Sequence, residues 1–347
     1  MKRVSIALAL AAFTAVCWIA IGRAQGNSDN PFWKHNNRGE LVHVLPPAAL
    51  IHQASDKQQV FAPPSPTTAV FSASYGSGTL INHGGPQIPN AGFEAVYWNA
   101  SAASGNTGDT SLGYADMNSY IDAFITKFSD GLNWDNSATD DYTVIQQYGK
   151  QNGITASLRN WGYFVDSQPT LASISDTMIR SYLQSLFAAG SVQISNSIVY
   201  GVYFPPGMKV QLDSANASCT SFCGYHGNFA YNGMDIKYAA FPYLNCSGCL
   251  LTGKHVADML SIVTGHEIRE AVTDPDLNAW FDRTGYEADD KCAWHNLYSL
   301  SNGGFLVQPE YSNGGTVTAS GFTATYPGPG CIVPSATAGG GGRGHGR

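Results

Sequence analysis

Residues 252–275 read TGKHVADMLSIVTGHEIREAVTDP. The run predicts one long helix, from about Thr252 to Thr273, that stops before Pro275 because the residue preceding a proline is kept out of helical backbone. Within it stands His266-Glu267-Ile268-Arg269-Glu270. On a helix, His266 and Glu270 lie one turn apart on the same face, so both can grip one metal ion. Zinc accepts an imidazole nitrogen and a carboxylate oxygen, and a catalytic zinc keeps one position for water. Glu267, next to His266, is then placed to take a proton from that water. The chain has only six glutamates, and three of them fall between 267 and 287, which argues against an incidental charged face.

The pattern differs from the zinc-protease helix His-Glu-x-x-His in having a glutamate as the second ligand. That makes the site more negative and brings calcium into competition with zinc. A third ligand has to come from elsewhere. Glu287 follows Glu270 by seventeen residues, and Glu287-Ala288-Asp289-Asp290 can open a second short helix facing the first. One zinc-protease clan takes its third ligand from such a later helix and uses an acid one turn on to orient the histidine. Glu287 and Asp290 resemble that pair. Asp276 competes, at the distance used by another clan, but Thr273 stands where that clan needs a glycine, and Asp274 and Asp276 suit the helix end around Pro275. His295 is a further alternative ligand. His83, in the turn before Gly84-Gly85-Pro86, and His226 and His255 are weaker candidates.

Outward from this helix, strands and helices alternate. Phe93–Trp98, Ile198–Phe204 and Asp235–Phe241 are aromatic and β-branched runs suited to strands. Residues 116–129 carry Met117, Tyr120, Ile121, Phe124, Ile125 and Phe128 on one helical face. Met178 to Phe187 repeats that pattern, with Ser173 or Ser175 as cap and Gly190 as stop. The order predicts an α/β or α+β domain, a mixed sheet packed with helices and carrying a zincin-like helix.

The chain begins with Lys2 and Arg3, runs through an apolar stretch to Ile21, and reaches Gly22-Arg23-Ala24 before Gln25. Residues 1–24 therefore read as a cleaved signal peptide, against the alternative of a membrane anchor. Its removal leaves fifteen basic residues against twenty-five acidic ones and moves the formal charge from -7 to -10. Such a surface argues against nucleic acid as partner. Residues 25–68, with Pro46-Pro47 and Pro63-Pro64-Ser65-Pro66, read as an extended arm or linker, 69–335 as a single globular domain, and 336–347 as a disordered Gly-rich tail.

Apart from Cys17 in the signal, six cysteines remain, an even number that reads as three disulfides in an oxidising compartment. Short spacing favours Cys219–Cys223 and Cys246–Cys249, which leaves Cys292–Cys331; a four-cysteine zinc site is the competing reading.

The run from His266 through Ala271, Thr273, Asp274 and Pro275 to Trp280, Glu287, Asp290 and Cys292 resembles the secreted bacterial relatives of the plant phosphate-induced, EXORDIUM-like family. Asn82-His83-Gly84-Gly85-Pro86 with Tyr97-Trp98 resembles that family's N-terminal signature, and Cys223-Gly224-Tyr225-His226 its middle one. The likeness spans residues 75–335 by scattered motifs and implies secretion and a shared fold. Together these readings give an expected extracellular or periplasmic zinc hydrolase without a stable membrane anchor. Its ligands are His266, Glu270 and Glu287, its base is Glu267, and its substrate is extracellular protein, peptide or cell-wall material. The alternative is a non-catalytic cell-wall or matrix protein with a structural metal site.

Overall fold

In a computed structural model, the described residues are 30–51, 68–105, 109–128, 142–149, 154, 158–319 and 322–334. The proposed signal peptide and the Gly-rich tail lie outside them. No helix among the described residues is long and apolar enough to cross a membrane.

The α+β architecture is built on one mixed seven-stranded sheet. Its strands are β1 (Trp33–His35), β2 (Leu41–Leu45), β3 (Gly92–Tyr97), β4 (Arg159–Val165), β5 (Ile198–Tyr203), β6 (Gly224–Tyr231) and β7 (Met234–Phe241). Across the sheet they run β1-β2-β6-β7-β5-β3-β4. The pairings from β1 to β7 are antiparallel, and those joining β7, β5, β3 and β4 are parallel. The parallel strands need crossover connections, and two helices fill them: α1 (Met117–Phe128) between β3 and β4, and α2 (Asp176–Ala189) between β4 and β5. Ser175 caps α2, accepting from the Met178 N–H, and Gly190 ends it in left-handed backbone.

The first two strands correct the reading of residues 25–68 as an arm. Trp33–His35 and Leu41–Leu45 are in the sheet, and Val42, Val44 and Leu45 are fully buried. The polar and proline-rich surroundings hid a five-residue apolar strand, Leu-Val-His-Val-Leu.

Helix α3 (Val256–Thr273) lies across one face of this sheet. Register alignment puts Trp33, His43, His226, Ala239, Gly201 and Ala95 in one row from strand to strand, so all six point to one face. Small residues in the row let the helix approach. Gly224, two residues before His226 and on the same face, has no room for a side chain, since a Cβ there would collide with Val263 of α3 and come within 3.3 Å of Glu267 Oε1. A valine at position 224 should force the helix off the sheet and destabilise the fold by about 1–3 kcal/mol. Calorimetry checks this; an unchanged Tm would mean that the contact is not tight. On α3's other side Gly265 lies against the rings of Phe124 and Phe128 from α1. The opposite sheet face packs on α2, where Tyr225 donates to Asp176 at 2.8 Å and Arg180 Nε donates to the Tyr238 hydroxyl at 3.0 Å.

Three disulfides are present, and two of the expected pairings are corrected. Cys219 bonds Cys246 and Cys223 bonds Cys249, whereas Cys292–Cys331 is as expected. Each close pair of cysteines sits on its own turn, and the bridges join the two turns. With these thiols in disulfides, the four-cysteine zinc reading falls away.

Candidate metal centre

Seven ionisable side chains meet between α3 and the sheet, and all are fully buried: His43, His226, His266, Glu267, Glu270, Glu287 and Asp290. Three come from α3, where the four-residue spacing stacks His266 over Glu270, with His266 Nε2 at 3.0 Å from Glu270 Oε2. Two come from the sheet, where His43 and His226 are direct cross-strand partners with ring centroids 5.4 Å apart. The last two come from the segment after α3. Its Glu287 N–H donates to Asp290 Oδ2 at 2.8 Å, and the Asp290 N–H donates to Glu270 Oε1 at 3.1 Å. The short helix expected here is a 3-10 turn, Asp290–Cys292.

Glu270 is the hub, since its Oε2 also lies 3.1 Å from His43 Nδ1. The other nitrogen of His43 faces Asp290 Oδ2 at 3.1 Å and Glu287 Oε1 at 3.7 Å. His226 Nδ1 is 3.0 Å from Glu267 Oε2, and its Nε2 is 4.0 Å from Glu287 Oε2. Three sets have ligand atoms within 4.8 Å of one another: His43, His266, Glu270 and Asp290; His43, His226 and Glu287; and His226, Glu267 and Glu270. Any of them is of a size to hold a metal ion.

The predicted residues are therefore brought together, but in a different arrangement. His266 and Glu270 share a set, while Glu287 joins the strand histidines instead of His266. Asp290 belongs directly to the set of His266 and Glu270. Asp276 is outside, paired with Lys237. His295 is also outside, 3.2 Å from the Tyr75 hydroxyl. His83 stacks on Phe281 at 3.7 Å, and His255 is the N-cap of α3. Sequence reasoning passed over His43 entirely and gave His226 little weight. The available signal was a histidine at the centre of a short apolar strand, Leu-Val-His-Val-Leu, and another opening the β6 run.

Crowding this many charges in a dry interior polarises the titration of each. Burial opposes charge on Glu270, but the imidazoles of His266 and His43 outweigh it and hold its carboxyl well below the ordinary range. Burial pushes Glu267 and Glu287 well above that range, and Asp290 up to about 6, with neighbouring carboxylates adding to each shift. Burial also resists charging His266, yet Glu270 beside it raises that ring to about 9. His226 goes the other way, down to about 3, through burial and the neighbouring His43. Several of these atoms, including both Glu287 oxygens, Glu267 Oε1 and His226 Nε2, have no hydrogen-bond partner among the described residues. Unpartnered buried polar atoms cost about 1–3 kcal/mol each, so a cation is the natural counterpart of this donor set.

Around the cluster, Arg269 of α3 is fully buried and bridges Asp289, at 3.1 Å from Nε, and Glu310, at 2.7 Å from Nε. Asp274 at the end of α3 accepts from the N–H groups of Asn278 and Ala279. Phe32 and Trp33 cover His43, the latter edge-on at 4.7 Å. Comparison with known proteins found no matching family model, curated protein or solved structure.

Proposed function

We propose that this chain is an exported zinc-dependent hydrolase acting on extracellular protein, peptide or cell-wall material, a relative of the EXORDIUM-like proteins by its motifs. The observation that carries the reading is the place of Glu267. It projects from the metal-binding helix into the cluster, accepts from or shares a proton with His226 through Oε2, and has Oε1 without a hydrogen-bond partner. A carboxylate so placed can hold and move a proton. Of the set His43, His266, Glu270 and Asp290, the last three would hold the zinc and leave a position for water, which the metal would make a stronger acid while polarising a carbonyl. Glu267 would take the proton from such a water, and its bond to His226 would fix its orientation. Export is supported by the N-terminal Lys2 to Ala24 pattern and by three disulfides.

One observation favours a second reading. All seven cluster residues are fully buried, which suits a structural metal centre in a non-catalytic cell-wall or matrix protein. Glu267→Gln separates the two. In a hydrolase it retains zinc and fold while turnover of a general protein substrate falls by about 100- to 10,000-fold, the range for losing a general base. In a structural centre the wild type shows no turnover, and the substitution leaves zinc content and Tm as they were.

A further inference from the structure

We propose that the cluster is a two-metal centre, with a second divalent cation held by His226 and Glu287 against His43, beside the first at His266, Glu270 and Asp290. This rests on the metal-binding part of the reading above and is independent of catalysis. Charge is the first argument. The cluster holds four carboxylates and three imidazoles, all fully buried. With the imidazoles neutral, as metal ligation requires, one divalent ion neutralises two of those carboxylates, and two ions neutralise all four. An uncompensated buried carboxylate is among the least tolerated groups in a protein interior.

Geometry is the second argument. Once His266, Glu270 and Asp290 surround one ion with His43, the groups left over are His226, Glu267 and Glu287. Glu267 has a partner, because its Oε2 stands 3.0 Å from His226 Nδ1. The other nitrogen of His226 and both oxygens of Glu287 have no hydrogen-bond partner among the described residues, and Nε2 and Oε2 face each other at 4.0 Å. That spacing is too wide for a hydrogen bond and leaves room for a cation, since zinc binds each donor at about 2.0–2.2 Å and a small shift of either side chain gives the roughly 3.4 Å between donors of a tetrahedral site. Glu287 Oε1 and His43 Nε2, 3.7 Å apart, flank the same space. Glu267 behind His226 then orients the ring through Oε2, a bond that the amide oxygen of a Gln there also accepts. His43, with one nitrogen towards Glu270 and the other towards Glu287, is the residue common to both sets.

A protonated Glu287 is the competing account of the same burial. It removes a charge but leaves an O–H donor and a carbonyl acceptor that still have no partner.

Stoichiometry decides between them. The mature protein, stripped with a chelator and dialysed, is titrated with zinc alone by calorimetry, and zinc content is measured by elemental mass spectrometry. Two zinc ions per chain are expected for the wild type. Glu287→Gln and His226→Gln should each bind one, with circular dichroism as in the wild type. One zinc per chain in the wild type overturns the second site and leaves the hydrolase reading standing. Two that persist in both variants would overturn the assignment of these residues. No bound zinc at all would end the metal-centre reading on which both rest. Should either variant fail to fold, the wild-type titration still counts the ions without it.

Discussion

If the buried cluster holds the proposed zinc, stripping it should lower the stability of this protein more than any single substitution on its surface. A ligand that binds only the folded state stabilises it by RT ln(1 + [L]/Kd), about 4 kcal/mol at a thousandfold excess over Kd. Here the loss is compounded, because without the ion four carboxylates lie buried with only the imidazoles of His43 and His266 to offset them. Chelation should therefore lower Tm by many degrees, and zinc added back should restore it in proportion to its free concentration. Acid should act in the same direction as the chelator, since imidazole and carboxylate bind metal only when deprotonated. The measurement is a set of calorimetric scans with chelator, with zinc, and across pH. A Tm indifferent to chelator would show that the cluster is stable by proton sharing alone.

Removing the guanidinium of Arg269 is the substitution with the largest expected cost. Arg269 sits on α3 between His266 and Glu270 in sequence but points away from them, into Asp289 and Glu310. Asp289 also accepts from Gln308 Nε2 at 3.0 Å, and Glu310 belongs to the small sheet of residues 310–312, 330–333 and 69–71. All three charges are buried, so Arg269→Ala leaves two carboxylates without their cation, a change worth about 3–5 kcal/mol. Burial already pushes the Asp289 carboxyl up, with Arg269 opposing it, so the loss should be partly relieved as pH falls and Asp289 takes a proton. Denaturant melts at neutral and at mildly acidic pH test both points. Because Asp289 adjoins Asp290, the same variant should also weaken any metal binding at the cluster, and a variant as stable as wild type would refute the account.

The central helix, the strands β3, β5 and β7, and α1 and α2 were legible because each is written locally, in side-chain period, caps and stops. So were His266, Glu267 and Glu270, through one turn of helix, and Glu287 and Asp290 through their distance from it. His43 was not, because its role is created by pairing with a strand far along the chain. Alone, a histidine between valines reads as a core residue. The cysteines show the same limit from the other side. Cys219 and Cys223 are close in sequence, yet each faces a cysteine 27 or 26 residues away, because two turns are pressed together at the start of β6. The partition of the seven site residues among ligand sets was hidden for the same reason, since it depends on which nitrogen of His226 meets which carboxylate.

The route by which His43 reaches the centre also fixes when the centre can exist. His43 and Glu270 are 227 residues apart, and the carbonyl of Pro46 accepts from Trp294, 248 residues on. Contacts of such long range form late, because the loop they close must be ordered before they repay it. A chain emerging N-terminus first would carry β1 and β2 without their sheet partner until β6 had appeared, and without Glu287 and Asp290 until most of its length had followed. If the cluster takes up an ion, as proposed, it can do so only once the last third of the chain has joined β2, and the metals available at that moment compete for it.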